Sequence, residues 1–261
     1  MKKFIFTLVP GLFFASIMLS AQNAVSSDPF EVQQRFYRLA LKNYDLQAAT
    51  VALYYMLALK PERTDFNDSL ALLYFAGERY AQAYIIGEEI VKTDPKRKDM
   101  LELVAVSKQN LGLIKEALAN YETLYNNEKS VYYLYQIATL QYQLKRYGEC
   151  VASLDQIISN TDAEKQKVSI RVQGSAQEVP MKAAALNVKG ICALELNQRD
   201  VARENFTKAV QVFPEFALAK GNLTNMDAKQ PDSKKPVATG TKTTTTAPKT
   251  STTPASTPKK N

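Results

Sequence analysis

The side chains that most often carry enzyme chemistry are scarce in this chain. It contains no histidine, so the commonest general base and the commonest metal ligand are missing. The sequence has no G-x-S-x-G nucleophile elbow and no phosphate-binding P-loop, and its two cysteines, Cys150 and Cys192, do not form a C-x-x-C motif. These features lower the expectation for an enzyme or a metalloprotein. We therefore expect no catalytic residues, no metal site and no cofactor.

Paired carboxylates could still perform acid–base chemistry without histidine. Neighbouring acids such as Glu88 and Glu89 fall within stretches of helical periodicity, where we expect them on a solvated helix face. An enzyme that depends on Asp and Glu alone is therefore the least favoured functional class.

The net charge of +7 is carried by the two ends of the chain. Lys2 and Lys3 begin the sequence, and residues 229–261 contain seven lysines and one aspartate. Between these ends, residues 22–228 hold 24 basic and 25 acidic side chains. A nucleic-acid-binding fold needs a basic surface, so we do not expect nucleic acid as a partner.

The first 21 residues have the order of a secretory signal peptide. Two lysines precede an apolar stretch, residues 4–19, and small residues follow up to Ala21. The stretch is shorter than the roughly 20 apolar residues that a membrane-spanning helix needs, and Pro10 interrupts it. Cleavage after Ala21 is therefore favoured over an uncleaved anchor, and the protein is expected to be exported to the periplasm or secreted.

Three series of residues recur along the chain with the same spacing. One series of mainly small residues has steps of 34, 34, 33 and 52: Ala49, Ala83, Ala117, Cys150 and Ala202. The other two are Tyr37, Ala71, Ala105, Ala138 and Gly190, and Leu53, Gly87, Tyr121, Leu154 and Phe206. The last step contains 18 residues beyond one period. Each copy has two apolar stretches of helical length, which predicts an all-α fold of stacked helix pairs.

This repeat resembles the tetratricopeptide repeat (TPR), a helix–turn–helix unit of about 34 residues. The copy at 183–216 matches best, and its motif positions hold Leu186, Gly190, Ala202, Phe206, Ala209 and Pro214. The resemblance implies an α-solenoid of about five repeats within a TPR domain of residues 22–228: 30–63, 64–97, 98–130, 131–164 and 183–216. Residues 215–228 are expected to form a helix that caps the end of the stack.

Two segments fall outside the repeats. Residues 165–182 contain an alternating stretch followed by turn-forming residues, which fits a small β-hairpin. An irregular loop or a longer second helix fits this insert equally well. Residues 229–261 are rich in Lys, Thr, Pro and Ser, a composition typical of disorder. This tail is expected to be a linker, a solubilising segment or a tether to anionic envelope polymers or lipid.

The two cysteines are predicted to lie on helices of adjacent repeats. An exported protein could join Cys150 and Cys192 in a disulfide. Two buried, unpaired thiols that fill small positions of the core are the favoured interpretation. The distance between the two side chains decides between these alternatives.

In the TPR family the first helix of each repeat lines the concave face. Carried over to this chain, the resemblance predicts a groove that is basic in the first repeat, acidic and apolar in the next two, and rich in tyrosine in the fourth. Its residues are Arg35, Arg38, Asp68, Leu72, Phe75, Glu102, Val106, Gln109, Tyr135, Gln136 and Tyr142. Tyrosine offers a large contact area with a polar tip, which suits protein contacts.

The expected function is that of a non-catalytic adaptor of the bacterial cell envelope. Its partner would be a segment of another protein or a peptide bound in the groove. The alternative is an envelope-anchoring structural protein whose basic tail binds anionic polymer or lipid. No integral membrane span is expected after signal cleavage, so any association with the envelope would be peripheral.

Overall fold

A computed structural model describes residues 28–172 and 174–228 as eleven α-helices and one two-stranded sheet. The predicted signal peptide at 1–21 and the predicted tail at 229–261 lie outside the described residues. Within the described ranges, no helix is both long and apolar enough to cross a membrane.

Ten of the helices form five helix–turn–helix pairs. The first three pairs are α1 (Pro29–Lys42) with α2 (Leu46–Leu59), α3 (Asp65–Ala76) with α4 (Tyr80–Thr93), and α5 (Lys98–Asn110) with α6 (Ile114–Glu128). The last two are α7 (Val131–Gln143) with α8 (Tyr147–Ser159), and α9 (Met181–Glu195) with α10 (Arg199–Val212). A final helix, α11 (Ala217–Ala228), follows. Each pair packs on the next, which confirms the predicted stack of helix pairs.

The recurring small residues lie where helices approach one another closely. All five members of the first series, Ala49, Ala83, Ala117, Cys150 and Ala202, have no exposed surface. At Gly190 the approach is so close that an added Cβ would lie 2.5 Å from the ring of Phe206. Because Phe206 is itself fully buried, the missing side chain of Gly190 makes room for this ring inside the fifth pair.

The turn inside every pair contains one residue with a left-handed backbone conformation. These residues follow the same steps as the repeat: Tyr44, Glu78, Gly112, Lys145 and Asn197. In each turn the next amide donates to a carbonyl five residues earlier, as Arg79 does to Tyr74 at 2.8 Å. This is the hydrogen bond of a Schellman helix end, which requires a positive φ at the preceding residue. Four of the five positions therefore hold a side chain in a conformation that favours glycine.

The insert between the fourth and fifth pairs is a β-hairpin. Strands β1 (Lys167–Val172) and β2 (Ser175–Pro180) pair antiparallel and follow a short 3-10 turn at Thr161–Glu164. The predicted hairpin is confirmed, and the irregular loop and the longer helix are wrong. Val179 is fully buried in the core of the stack. Because α8 still packs directly on α9, the hairpin leaves the stack without interrupting it.

The predicted capping helix is also present, as α11. Phe216, just before it, and Met226 within it are buried. Leu223 packs against the same end of the fifth pair. An ion pair of 2.6 Å between Arg203 and Asp227 adds a polar contact between α10 and α11. The apolar end of the stack is thereby covered, as a solenoid requires.

Candidate partner-binding groove

The first helices of the five pairs, α1, α3, α5, α7 and α9, form one side of the stack, which we call the A face. Neighbouring first helices contact each other directly, α3 with α5 and α7 with α9. The second helices pack mainly against first helices, as α4 does against α3 and α5. Since the stack is drawn together on the A-face side, that side is the concave one.

The basic end of the predicted groove lies on α1. Arg38 is exposed, and Arg35 is half-buried. The same helix carries an exposed apolar stripe on another face, formed by Val32, Phe36 and Leu39. One repeat step of 34 residues places Phe36 at the position of the buried Leu70, so this stripe belongs to the uncovered first end of the stack and not to the groove.

On α3 the predicted residues combine an acid with two apolar side chains. Leu72 is 52% exposed. Phe75 is half-buried and sets its ring edge-on against Tyr80, with centroids 5.8 Å apart. Asp68 is half-buried as well. This helix therefore offers apolar contact surface beside a carboxylate.

Arg97, in the loop before α5, ties the acids of two repeats together. Its guanidinium lies 2.9 Å from Asp68 and 2.7 Å from Asp99. The hydrogen bonds to Asp99 and then to Asp68 raise the pKa of Arg97, and the bond from Arg97 lowers the pKa of Asp99. Helix register does not single out Arg97, because this residue lies in a loop. Arg63 and Asp65 make the same contact one repeat earlier, at 2.7 Å, so a recurring Arg-x-Asp was the available signal.

On α5, Glu102, Val106 and Gln109 are all half-buried, so part of each side chain remains accessible. The Tyr133 hydroxyl of α7 donates a hydrogen bond of 3.0 Å to Oε2 of Glu102. Burial, together with this bond to a carboxylate, raises the pKa of Tyr133 to about 12. Tyr133 therefore stays protonated at neutral pH and fixes the Glu102 carboxylate in the groove.

The prediction that Tyr135 lies on the groove surface is wrong. It is 7% exposed, and burial raises its pKa to about 12. Tyr135 belongs to a buried cluster that includes Ala183, Ala184 and Ala185 at the start of α9. Because α9 also contacts α7, the ring is enclosed at the joint between the fourth and fifth pairs. Gln136, the next residue, is half-buried and keeps part of its surface accessible.

Tyr142, at the far end of α7, is bound to the fifth repeat. Its hydroxyl donates to Oε1 of Glu195 at 3.4 Å, and Tyr147 of α8 donates to Oε2 of the same carboxylate at 3.5 Å. Burial and the negative charge of Glu195 raise the pKa of both tyrosines. The Tyr142 hydroxyl is therefore already used within the protein.

The predicted residues that remain accessible and adjacent lie on α3 and α5. We call this set the central groove: Asp68, Leu72, Phe75, Glu102, Val106 and Gln109. It combines apolar surface with carboxylate and amide groups, which can bind a polypeptide chain. Arg35 and Arg38 lie towards one end of the A face, and Gln136 and Tyr142 towards the other.

The adjacent acids Glu88 and Glu89 were expected on a solvated face. Glu89 is exposed, and the Glu88 side chain is 35% exposed but also binds a lysine. Its carboxylate lies 2.5 Å from Nζ of Lys108, a lysine that is 8% exposed between α4 and α5. Glu88 therefore neutralises a buried charge. In the part of the chain that the structure describes, no group of three or more His, Cys, Asp or Glu side chains could hold a metal ion.

Comparison with solved structures identifies the fold. The chain superimposes on YrrB, described as a TPR protein with an unusual peptide-binding site, with a TM-score of 0.55 and 16% identity over 72% of this chain and 89% of YrrB. It also superimposes on a MamA fragment from Desulfovibrio magneticus RS-1 with a TM-score of 0.56 and 11% identity, over 73% of this chain and 98% of the fragment. No protein-family model and no curated protein sequence matches the chain. At these identities the likeness establishes the fold alone.

Proposed function

We propose that this chain, which has the tetratricopeptide-repeat fold, is a scaffold that binds a segment of another protein in the central groove. The observation that carries the proposal is the exposure of Leu72, which is 52% accessible on the concave side of the stack. Burial of such a side chain by a partner contributes about 25 cal/mol of binding free energy per Å² of apolar surface removed from water. Phe75 and Val106, half-buried on α3 and α5, extend the same apolar surface.

The charges around these apolar residues define the kind of segment that fits. Asp68, Asp99 and Glu102 carry three negative charges, and Arg97 neutralises only part of them. A partner segment with apolar side chains flanked by Lys or Arg would complement this surface. Charge complementarity of this kind sets the register and the association rate more than the affinity. The peptide-binding site described for YrrB supports the use of this fold for peptides.

The experiment begins with selection of peptides from a displayed random library against the full chain, followed by measurement of Kd in solution. Leu72→Glu places a charge on the groove, and we expect it to weaken binding by at least about tenfold, a loss of about 1.4 kcal/mol. Ile85→Glu is the matched control, because Ile85 is 50% exposed and lies on the second helix α4. If Leu72→Glu is folded and binds the peptide as tightly as the wild type does, the proposal is refuted.

We further propose that this scaffold acts outside the cytoplasm, as an adaptor of the bacterial envelope. The support is the order of residues 1–21, a short basic start followed by apolar residues and a small residue at Ala21. Fractionation of cells that express the full chain tests this proposal. Recovery of a shortened protein from the periplasm or the medium is expected, and recovery of the full-length chain from the cytoplasm would contradict it.

The second candidate function is attachment to anionic envelope polymer or lipid through residues 229–261. The seven lysines of this segment favour it. Deletion of 229–261 separates the two functions. Loss of envelope association with unchanged peptide binding would support attachment through the tail, whereas unchanged association would leave the groove as the functional surface.

A further inference from the structure

Cys150 and Cys192 are the two cysteines of the chain, and both lie at the joint between the fourth and fifth repeats. Cys150 is on α8 and Cys192 is on α9, and their Sγ atoms are 3.4 Å apart. Both are thiols in this structure, and neither has exposed surface. The packing of α9 on α8 has in addition brought the two thiols into direct contact.

This joint differs from the others in how the chain crosses it. Elsewhere a short loop connects one pair to the next, as residues 94–97 do between α4 and α5. Between α8 and α9 the chain leaves the stack to form the whole hairpin. The two ends of this excursion meet at the base of the hairpin, where the Met181 amide donates to the Gln166 carbonyl at 2.9 Å. A covalent link between Cys150 and Cys192 would restrain α8 and α9 directly.

The two thiols are in direct hydrogen-bond contact, and either sulfur can be the donor. Exchange begins when one of the two loses its proton, because the thiolate is the nucleophile. The contact places the second sulfur beside the first, where it can resolve a mixed disulfide.

We propose that Cys150 and Cys192 are joined by a disulfide that fixes the fifth repeat on the fourth. The oxidant is an external disulfide, either a small-molecule disulfide or a protein dithiol oxidase. The thiolate of one cysteine attacks one sulfur of this oxidant and releases a thiolate. The other cysteine, after losing its proton, attacks the Sγ atom of the first and releases the second thiolate. The two cysteines lose two protons and two electrons, and the oxidant leaves as two thiols.

The surroundings of the pair determine when this exchange takes place. Tyr142 and Tyr147 both donate hydrogen bonds to Glu195, one helix turn after Cys192, and both sulfurs are completely covered. An external disulfide cannot reach the pair while α9 is packed on α8. Oxidation therefore occurs during folding or when the fifth repeat opens. The inference takes its setting from the proposed location outside the cytoplasm, but its chemistry is tested on purified protein.

The test uses the full chain, purified and fully reduced, then refolded in a buffer of oxidised and reduced glutathione. The sample is quenched with acid, unfolded and treated with a maleimide. We expect monomers that bind no maleimide, with a mass lower by two hydrogen atoms. Proteolysis without reductant should yield one linked pair of peptides that contains both cysteines. We expect the oxidised form to melt about 5–10 °C above the same sample with reductant.

Four results would overturn the proposal. These are two maleimide labels per chain after oxidation, glutathione on each cysteine without an internal link, a link between two chains, and melting temperatures that do not depend on reductant. Cys150→Ala and Cys192→Ala are the matched variants, and each should abolish the effect of reductant on melting. The arm that compares oxidised and reduced wild type needs no substitution, so the proposal remains testable if a variant fails to fold. Because no arm measures peptide binding or location, a negative result here leaves the proposed function standing.

Discussion

Asp68 on α3 and Tyr135 on α7 occupy equivalent positions in the second and fourth repeats, two repeat steps apart. Across the joint from Asp68, the next repeat presents Arg97 and Asp99, and the three side chains form an ion-paired network. Across the joint from Tyr135, the next first helix presents Ala184, and both residues are buried in one apolar cluster. The two joints have the same helix arrangement but different side chains, so one remains open to solvent and the other is closed.

This difference shows that accessibility on the A face depends on the following repeat. A first helix that follows with polar or long side chains leaves the groove open at that joint. A first helix that begins with small apolar residues packs closely, and the residue at the groove position of the preceding repeat is then buried. The candidate binding surface is therefore the α3–α5 section, although the aromatic residues that often dominate protein contacts lie in the α7–α9 section.

The largest expected difference between the two joints is in stability. Tyr135→Ala should lower the free energy of unfolding by about 4 kcal/mol, because it opens a cavity among the alanines of α9. Asp68→Ala should lower it by at most about 1 kcal/mol, because the ion pair with Arg97 is partly exposed. Urea denaturation followed by circular dichroism measures both values. Similar values for the two variants would contradict the assignment of one closed and one open joint.

The closed joint should also be sensitive to high pH. Burial raises the pKa of Tyr135 to about 12, from an unfolded value near 10. The protonated phenol is favoured in the folded state, so its contribution is fully present below pH 10 and is lost between about pH 10 and 12. Two pKa units correspond to about 2.7 kcal/mol. Between pH 10 and 12 the wild type should therefore lose about 2.7 kcal/mol more unfolding free energy than Tyr135→Phe, which has no hydroxyl to ionise. Identical profiles of stability against pH for the two proteins would contradict burial of the hydroxyl.

Lys108, between the second and third repeats, is a buried charge that should be costly to leave without its partner. Glu88→Ala leaves the ammonium of Lys108 without its partner between α4 and α5. We expect a loss of about 2 kcal/mol, less than for a fully buried pair because Glu88 is partly exposed. The double variant Glu88→Ala with Lys108→Met should recover most of this loss. If the double variant is as unstable as Glu88→Ala, the unpaired ammonium of Lys108 is not the cause of the lost stability.

The smallest effect concerns the turns of the third and fourth repeats, which hold glycine and lysine at the left-handed position. Gly112 in the third repeat has a φ of 76°, and no atom lies within 4 Å of where a Cβ would be. Gly112→Ala should therefore cost about 1 kcal/mol from the backbone alone. Lys145 holds the same position in the fourth repeat with a φ of 59°. Lys145→Gly should change stability by less than about 0.5 kcal/mol, since relief of strain offsets the added chain entropy. Thermal melts of both variants measure the contrast.

The parts of the fold that were predicted from the sequence are those determined by local pattern. Small residues at constant spacing, such as Ala83 and Ala117, identified the helix pairs because close helix packing excludes larger side chains. The alternation in 168–172 indicated a hairpin, although a loop fitted equally well until the pairing of Lys167 with Pro180 was seen. The recurring turn positions also follow the repeat, but four of the five lack the glycine that would have revealed them.

The candidate site was predicted less well, because it depends on contacts between repeats. Nothing in repeat four alone shows that Ala184, almost fifty residues later, will cover Tyr135. Nor does the helix register reveal that the loop residue Arg97 will bind two groove acids. The distance between Cys150 and Cys192 depends in the same way on how α9 packs on α8. Residue type and helix register therefore predict which face of a repeat forms the groove. The side chains of the next repeat determine which residues on that face remain exposed.

The most direct test of the account is hydrogen–deuterium exchange of the full chain with and without a peptide selected for binding. The proposed groove predicts new protection in α3 and α5, centred on the segments that carry Leu72 and Val106. It predicts little change in the second helices α4 and α6 and in α9. Protection confined to the second helices, or spread evenly over all five repeats, would contradict the claim that the open section of the concave face is the binding site.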